Sequence, residues 1–84
     1  MPEAAPGEML KRSVTVSRHR TSISLERAFW SALQEVAAAE QLSVDGLVSR
    51  IDRTRSGSLS GAVRVYVLGW FRARAGRRES DPAS

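Results

Sequence analysis

The chain contains no cysteine and a single histidine, His19, among its 84 residues. It therefore has no disulfide, no thiolate nucleophile and no set of histidine and cysteine side chains that could hold a metal ion. It also lacks a glycine-rich phosphate loop and the H-E-x-x-H motif of metalloproteases. We expect a protein that is not an enzyme and that carries neither a metal nor a cofactor.

Long hydrophobic runs are missing as well. No segment approaches the ~18 apolar residues of a membrane span, and residues 1–10 are acidic, unlike the basic start of a signal peptide. We expect a cytoplasmic protein with no membrane partner. Leu, Ile, Val and Phe together number only 19. Because a small core without disulfides usually needs a partner chain, we expect a homodimer.

The charge is unevenly distributed. Thirteen cations, of which twelve are arginine, outweigh nine acids and give a net charge of +4. Residues 11–20 carry +4 and residues 50–64 carry +3, whereas residues 21–49 carry −3. Such local clusters favour a polyanionic partner. The preference for arginine over lysine suits bidentate contacts to bases and phosphates.

An alternating pattern between residues 12 and 25 predicts β-structure. Its β-branched and apolar residues stand first at even and then at odd positions: Val14, Val16, Thr21, Ile23 and Leu25. One flat strand cannot keep both sets on one face. The change of parity therefore predicts a turn or bulge near residues 17–20, or two separate strands.

Two helical patterns follow. The first runs from Glu26 to about Glu40, with Ser24 as the favoured cap, and the second begins at the cap residue Ser43. Apolar residues recur at helical spacing in both: Phe29, Leu33, Val36, Leu47, Val48 and Ile51. Each helix is thus predicted to bury one face.

A third helix is predicted to begin at Ser58 or Ser60, to run to about Ala75 and to end at Gly76. The expected fold class is mainly α with one short β-strand region, in the order β-α-α plus a third helix. The chain is thus divided into a flexible tail, one domain and a second flexible tail: residues 1–10, 11–75 and 76–84.

A single strand would leave the backbone N–H and C=O groups of both its edges unpaired, so it needs a neighbouring strand. The same strand from a second copy is the economical partner, because a two-fold axis lets identical segments pair antiparallel. The topology therefore supports the homodimer that the thin core suggests.

The residues Arg20-Thr21-Ser22-Ile23-Ser24-Leu25, then Phe29 and Leu33, then Leu42-Ser43 make the sequence resemble ribbon-helix-helix DNA-binding proteins. A longer set resembles a subfamily of short bacterial members: Arg12-Ser13-Val14-Thr15-Val16, residues 19–26, Phe29-Trp30, and Leu59-Ser60 to Val67-Leu68. The resemblance covers about residues 11–72. It implies an intertwined homodimer with an antiparallel intersubunit β-ribbon that enters the major groove of double-stranded DNA. It also implies transcriptional regulation at the nucleoid and allows higher-order assembly on DNA.

The resemblance further implies roles for individual residues. Arg20, Ser22 and Ser24 would contact bases, while Thr21, Ile23 and Leu25 would face the helices. The residues expected to contact phosphates are Arg18, Ser43, Val44, Arg50, Arg53 and Arg55. Those expected in the dimer core are Ile23, Leu25, Phe29, Leu33, Leu47 and Ile51.

Three points remain open from the sequence. Gln41 stands where related proteins often have glycine, at a turn that favours left-handed backbone. Either residues 43–51 or residues 60–71 could act as the second helix of the core. The base-contacting face could consist of residues 20, 22 and 24, or of Ser13, Thr15 and Ser17.

Two other functions have some support. Residues 36–51 resemble a helix-turn-helix in which Arg50 would contact DNA, although Asp45 near the start of that recognition helix would oppose phosphate. Alternatively, the third helix could hold a protein partner in an adaptor or antitoxin-like module. Its anchors would be Tyr66, Trp70 and Phe71.

Overall fold

A computed structural model describes residues 5–79, with side chains through residue 76. The elements in chain order are β1 (Met9–Val16), β2 (His19–Glu26), α1 (Arg27–Ala39), α2 (Val44–Thr54) and α3 (Leu59–Glu79). The predicted order of β-structure and three helices is confirmed. The short β-strand region, which the sequence left open as one bulged strand or two strands, consists of two strands of eight residues each.

The two strands form an antiparallel hairpin within the chain. Its two-residue turn is Ser17-Arg18, with φ of 50° and 74°, the positive values of a type I′ turn. The turn predicted near residues 17–20 is confirmed. Because Val16 lies opposite His19, even positions of β1 share a face with odd positions of β2, which explains the change of parity. Of the two arrangements left open by the sequence, two separate strands are present, and β1 pairs with β2 of its own chain along its whole length.

The inner face of the hairpin packs against the helices and forms the core with them. The buried residues are Val14, Val16, Ile23, Leu25, Trp30, Leu33, Val36, Ala37, Leu47, Val48, Ile51, Val63 and Val67. Thr21 also lies on the inner face but is exposed. Five of the residues expected in a dimer core are buried within the single chain, and Phe29 packs against them while partly exposed. Their burial therefore does not by itself require a second copy.

The first turn of α1 is satisfied by backbone rather than by the expected Ser24 cap. The N-cap residue is Glu26, whose side chain makes no capping hydrogen bond. Instead, Arg27 N–H donates to the carbonyl of Glu8 at 2.8 Å and Ala28 N–H to that of Pro6 at 2.9 Å. Helix starts need such acceptors because their first N–H groups have no partner within the helix. Part of the expected N-terminal tail therefore caps α1.

The connection between α1 and α2 is a Schellman turn. Leu42 N–H donates to Ala37 C=O at 2.9 Å, and Gln41 N–H donates to Ala38 C=O at 3.1 Å. Gln41 has a φ of 60°, so a residue with a side chain occupies the left-handed position that favours glycine. Ser43 then caps α2 as predicted, accepting from Gly46 N–H at 2.9 Å.

α3 packs across α1 and α2, and it is longer than predicted. Ser58 is its cap, because its hydroxyl accepts from Gly61 N–H at 3.1 Å. The helix continues through Gly76 to Glu79, where we expected it to end at Gly76. One glycine costs only ~1 kcal/mol of helix propensity, which the neighbouring alanines and arginines offset. Residues 1–4 and 80–84 of the expected tails lie outside the described residues.

A polar cluster joins the three helices at the end of α1. Glu40 accepts from Arg50 at 3.3 Å and from Trp70 Nε1 at 3.0 Å, and Arg50 also donates to the Tyr66 hydroxyl at 3.0 Å. The hydrogen bonds from Trp70 and Arg50 lower the pKa of Glu40. The bonds to Tyr66 and Glu40 raise the pKa of Arg50.

Candidate nucleic-acid interface

The face of the hairpin that points away from the helices carries mostly polar side chains. Cross-strand pairs place them two by two: Lys11 with Ser24, Ser13 with Ser22, and Thr15 with Arg20. We call these six residues the outer face, and none of them is buried. Two sets of candidate base-contacting residues were left open by the sequence, and they now form one surface, apart from Ser17 in the turn.

The tip of the hairpin is basic. Arg18 is the second residue of the turn, and Arg20 follows two positions later at the start of β2. Both side chains are exposed. The outer face therefore ends at the tip in two cations that solvent, or an anion, can reach.

The outer edge of β2 presents unpaired backbone groups. In a two-residue hairpin the Val16–His19 pair exchanges both hydrogen bonds, and every second pair repeats this pattern. The bond from Arg27 N–H to Glu8 C=O continues the alternation past the strands. The backbone groups of Arg20 and Ser22 consequently point away from β1, and residues 5–79 offer β2 no other neighbouring strand.

A groove of about 570 Å³ runs along this edge, between residues 21–24 of β2 and the start of α3. Leu59 and Arg64 of α3 line its far side. Arg64 donates to Glu26 at 2.9 Å, and this hydrogen bond lowers the pKa of Glu26. The edge of β2 thus borders a space in which another extended segment could lie.

The opposite edge of the hairpin is held by α2. The Ser49 hydroxyl donates to the carbonyl of Thr15 at 3.3 Å and accepts from the N–H of Ser17 at 3.2 Å. These bonds hold the tip against α2, and they satisfy the carbonyl of Thr15 and the N–H of Ser17 at the outer edge of β1. The two edges therefore differ, since α2 covers one near the tip while the other faces the groove.

The start of α2 offers backbone donors. Ser43 uses its side chain to accept from Gly46, and its carbonyl accepts from Leu47 at 2.9 Å, which leaves the N–H groups of the first turn pointing outward. Helix N-termini of this kind favour anions. The exposed carboxylate of Asp45 lies in the same turn and acts against this preference.

The three arginines expected to contact phosphates after residue 49 differ in their surroundings. Arg50 is engaged by Glu40 and Tyr66, on the side where α2 meets α1 and α3. Arg55 pairs with Asp52, and these two residues border the groove beside β2. Arg53 is exposed in the last turn of α2. The structure thus brings Arg55 near the hairpin and turns Arg50 towards the helices.

Three residues of the region were not singled out by the sequence. Lys11 joins the outer face, Ser49 holds the tip, and Arg12 lies on the inner side with its guanidinium 5.1 Å from the centre of the Trp30 ring. Trp30 is itself buried and donates from Nε1 to the carbonyl of Leu10 at 2.8 Å. Extending the alternation back before residue 12 would have found Lys11.

A family model described as a ribbon-helix-helix domain matches residues 9–71. The matched span begins with β1 and ends within α3, so it contains the hairpin and the first two helices entire. The chain belongs to the ribbon-helix-helix family. The resemblance found in the sequence is thereby confirmed.

A solved structure shares the fold of this ribbon-helix-helix protein. It is that of an uncharacterized protein from Bordetella pertussis Tohama I, with a TM-score of 0.74 and 26% sequence identity. The alignment covers 94% of this chain and 68% of that one. A comparison with curated proteins gave no significant match.

Ribbon-helix-helix proteins usually bind DNA and dimerise, and two features of this member bear on both properties. Its strands β1 and β2 pair with each other within one chain, and a third helix packs against the first two. None of the helices in residues 5–79 is long and apolar enough to cross a membrane. Within the same range, no three acidic or histidine side chains gather where they could hold a metal ion.

Proposed function

We propose that this protein is a homodimeric, sequence-specific binder of double-stranded DNA that regulates transcription. The observation that carries the proposal is the outer face, which joins short polar side chains to Lys11 and Arg20. The acid at the next position of this face, Glu26, is paired with Arg64. The major groove is ~12 Å wide and admits a two-stranded β-ribbon. A flat surface of hydroxyls and cations suits the polar base edges and the negative field of that groove.

The base contacts are assigned to β2. Arg20 can donate two parallel hydrogen bonds to O6 and N7 of guanine, and the hydroxyls of Ser22 and Ser24 can donate to or accept from several bases. All three side chains point to the outer face, and Ser24 is partly covered while the other two are exposed.

The phosphate contacts surround these residues. Arg18 at the tip and Arg53 on α2 are exposed cations, and the first-turn N–H groups near Ser43 and Val44 form an anion site. Arg55 can join them where it borders the hairpin. Arg50 ranks last among the expected contacts because Glu40 and Tyr66 already engage it.

The dimer forms through the outer edge of β2. A second copy can place its own β2 antiparallel in the groove beside Ser22, because a two-fold axis makes identical edges complementary. The unpaired backbone groups of both edges are then satisfied, as buried polar groups in proteins generally are. The ribbon in the major groove would consist of the two β2 strands.

The test begins with selection of bound sequences from a pool of randomised duplexes, followed by fluorescence anisotropy over a series of salt concentrations. We expect the logarithm of affinity to fall linearly with the logarithm of salt concentration. Arg20→Ala should weaken binding to the selected duplex by about 1–3 kcal/mol and relax the choice of base at one position per half-site. Arg72→Ala is the matched control, since Arg72 is exposed on α3.

Absence of salt-dependent binding to any duplex would overturn the proposal. If Arg20→Ala binds as tightly and as selectively as the unmodified protein, the helix-turn-helix interpretation of residues 36–51 takes its place. The exposed carboxylate of Asp45 in the first turn of α2 argues against that interpretation, because it would repel the phosphates of DNA.

A protein-interaction module is the second candidate, favoured by one observation on α3. Val65 and Leu68 are 71% and 54% exposed, although both are apolar. Tyr66, Trp70 and Phe71, the anchors expected from the sequence, instead pack partly buried against the core. If the purified protein fails to bind DNA at low salt, the exposed pair on α3 becomes the first surface to alter.

A further inference from the structure

The pairing of two β2 edges, which belongs to the proposed function, produces a sheet wider than a two-stranded ribbon. Each copy brings its own β1, so the strand order becomes β1, β2, β2 of the second copy and β1 of the second copy. With neighbouring strands ~4.8 Å apart, the two β1 strands lie about 14 Å from each other. The major groove is only ~12 Å wide.

This width separates the roles of the two strands. The central pair of β2 strands fits between the walls of the groove, while each β1 lies about 7 Å from the two-fold axis, at the level of the walls. The walls are lined by sugar and phosphate. Side chains on the outer face of β1 therefore meet the DNA backbone rather than base edges.

The outer face of β1 has the chemistry that such a position requires. Lys11 is a cation, and Ser13 and Thr15 carry hydroxyl donors. The two hydroxyl side chains are short, so the strand can approach the DNA backbone closely. Lys11 is exposed, whereas Arg12 beside it lies on the other face against Trp30. The Ser49 bonds to the tip hold β1 in place for this contact.

We propose that Lys11, Ser13 and Thr15 form a sugar–phosphate-binding site on each flank of the dimer, separate from the base contacts of β2. Lys11 neutralises a phosphate, and the two hydroxyls donate to phosphate oxygens. This site positions the ribbon but carries no sequence information, because phosphates are the same at every base pair.

The experiment compares Lys11→Gln with Arg72→Gln, which removes the same charge from the exposed face of α3. Anisotropy is measured over a salt series with two fluorescein-labelled duplexes of equal length, one selected by the unmodified protein and one of mixed sequence. Each lost phosphate contact lowers the slope of log affinity against log salt by ~0.9. We expect Lys11→Gln to lower it by about 2 per dimer, and Arg72→Gln to leave it unchanged.

The sequence dependence supplies the second readout. Lys11→Gln should weaken binding to both duplexes by the same factor, whereas Arg20→Ala should weaken binding mainly to the selected duplex. Ser13→Ala should lower affinity for both duplexes about two- to tenfold, the loss of one or two net hydrogen bonds, without changing the slope. Circular dichroism and the thermal midpoint establish that each variant is folded.

Two results would overturn this inference while leaving DNA binding intact. One is an unchanged slope in Lys11→Gln. The other is a changed base preference in Lys11→Gln, which would mean that β1 enters the groove, as it would if one hairpin inserted alone. Failure of the proposed function would differ, because the unmodified protein would then bind neither duplex.

Discussion

Ser13 and Ser22 lie directly opposite one another across the β-hairpin, so their side chains leave the same face of the sheet. One belongs to β1 and the other to β2, and each represents one of the two candidate DNA-contacting sets. Their backbone groups point in opposite directions, to the two outer edges of the hairpin. The same substitution at Ser13 or at Ser22 therefore alters one outer edge of the hairpin and leaves the other intact.

Ser22→Pro should prevent dimerisation. Proline has no N–H, and Ser22 directs its N–H away from β1, so the hairpin keeps its bonds while the edge of β2 loses a donor. Sedimentation equilibrium should give a mass near 9.2 kDa instead of twice that value. The control is Ser13→Pro, which alters the other edge and should remain dimeric. A dimeric Ser22→Pro protein would place the dimer interface elsewhere.

Arg18→Gly should raise stability and lower DNA affinity at once. Arg18 holds a φ of 74°, and left-handed backbone costs a residue with a side chain ~1–2 kcal/mol, most of which glycine avoids. We expect the free energy of unfolding in urea to rise by about 1 kcal/mol, while anisotropy shows weaker binding through the lost cation. Ser17→Gly relieves the same turn without removing a charge, so it should gain stability and keep its affinity. Equal affinities for the two variants would remove Arg18 from the phosphate contacts.

Gln41→Gly should stabilise the protein without affecting DNA binding. Gln41 occupies the left-handed position of the Schellman turn with a φ of 60°. Glycine at this position should raise the free energy of unfolding by about 1 kcal/mol, measured by urea titration. Gln41→Ala keeps the side-chain penalty and should change stability by less than ~0.5 kcal/mol. A loss of stability in Gln41→Gly would show that the glutamine side chain contributes a contact of its own.

Glu40→Gln should reduce the acid sensitivity of the fold. The hydrogen bonds from Trp70 and then Arg50 lower the pKa of Glu40 in the folded protein. Its stabilising contribution is therefore complete above the ordinary carboxylate pKa of ~4.3 and is lost as the pH falls through the lowered value. Between about pH 6 and about pH 3, the unmodified protein should lose more thermal stability than Glu40→Gln. If both proteins lost the same thermal stability, the hydrogen bonds of Glu40 would contribute nothing measurable. The acid sensitivity that both proteins share would include that of Glu26, whose pKa is also lowered.

Several features followed from the sequence because they depend on neighbouring residues. The stripes through Leu33 and Leu47 gave the helices, and the Ser43 cap and the turn before Arg20 were also predicted. The Ser24 cap was wrong for a physical reason. The carbonyls of Pro6 and Glu8 reach the start of α1 from a distant part of the chain, and no local pattern indicates this.

The sequence by itself determined the identity of the helices, their buried stripes and the basic, hydroxyl-rich character of the β-structure. Only the tertiary structure decided that β2 pairs with β1 of its own chain and that Ser13 and Ser22 share a face. The physical reason is that the edges of a strand offer the same backbone donors and acceptors to any partner. The turn at Ser17-Arg18 makes β1 the partner of β2, and the bond from Ser49 on α2 holds the outer edge of β1. Both contacts depend on how the whole chain packs.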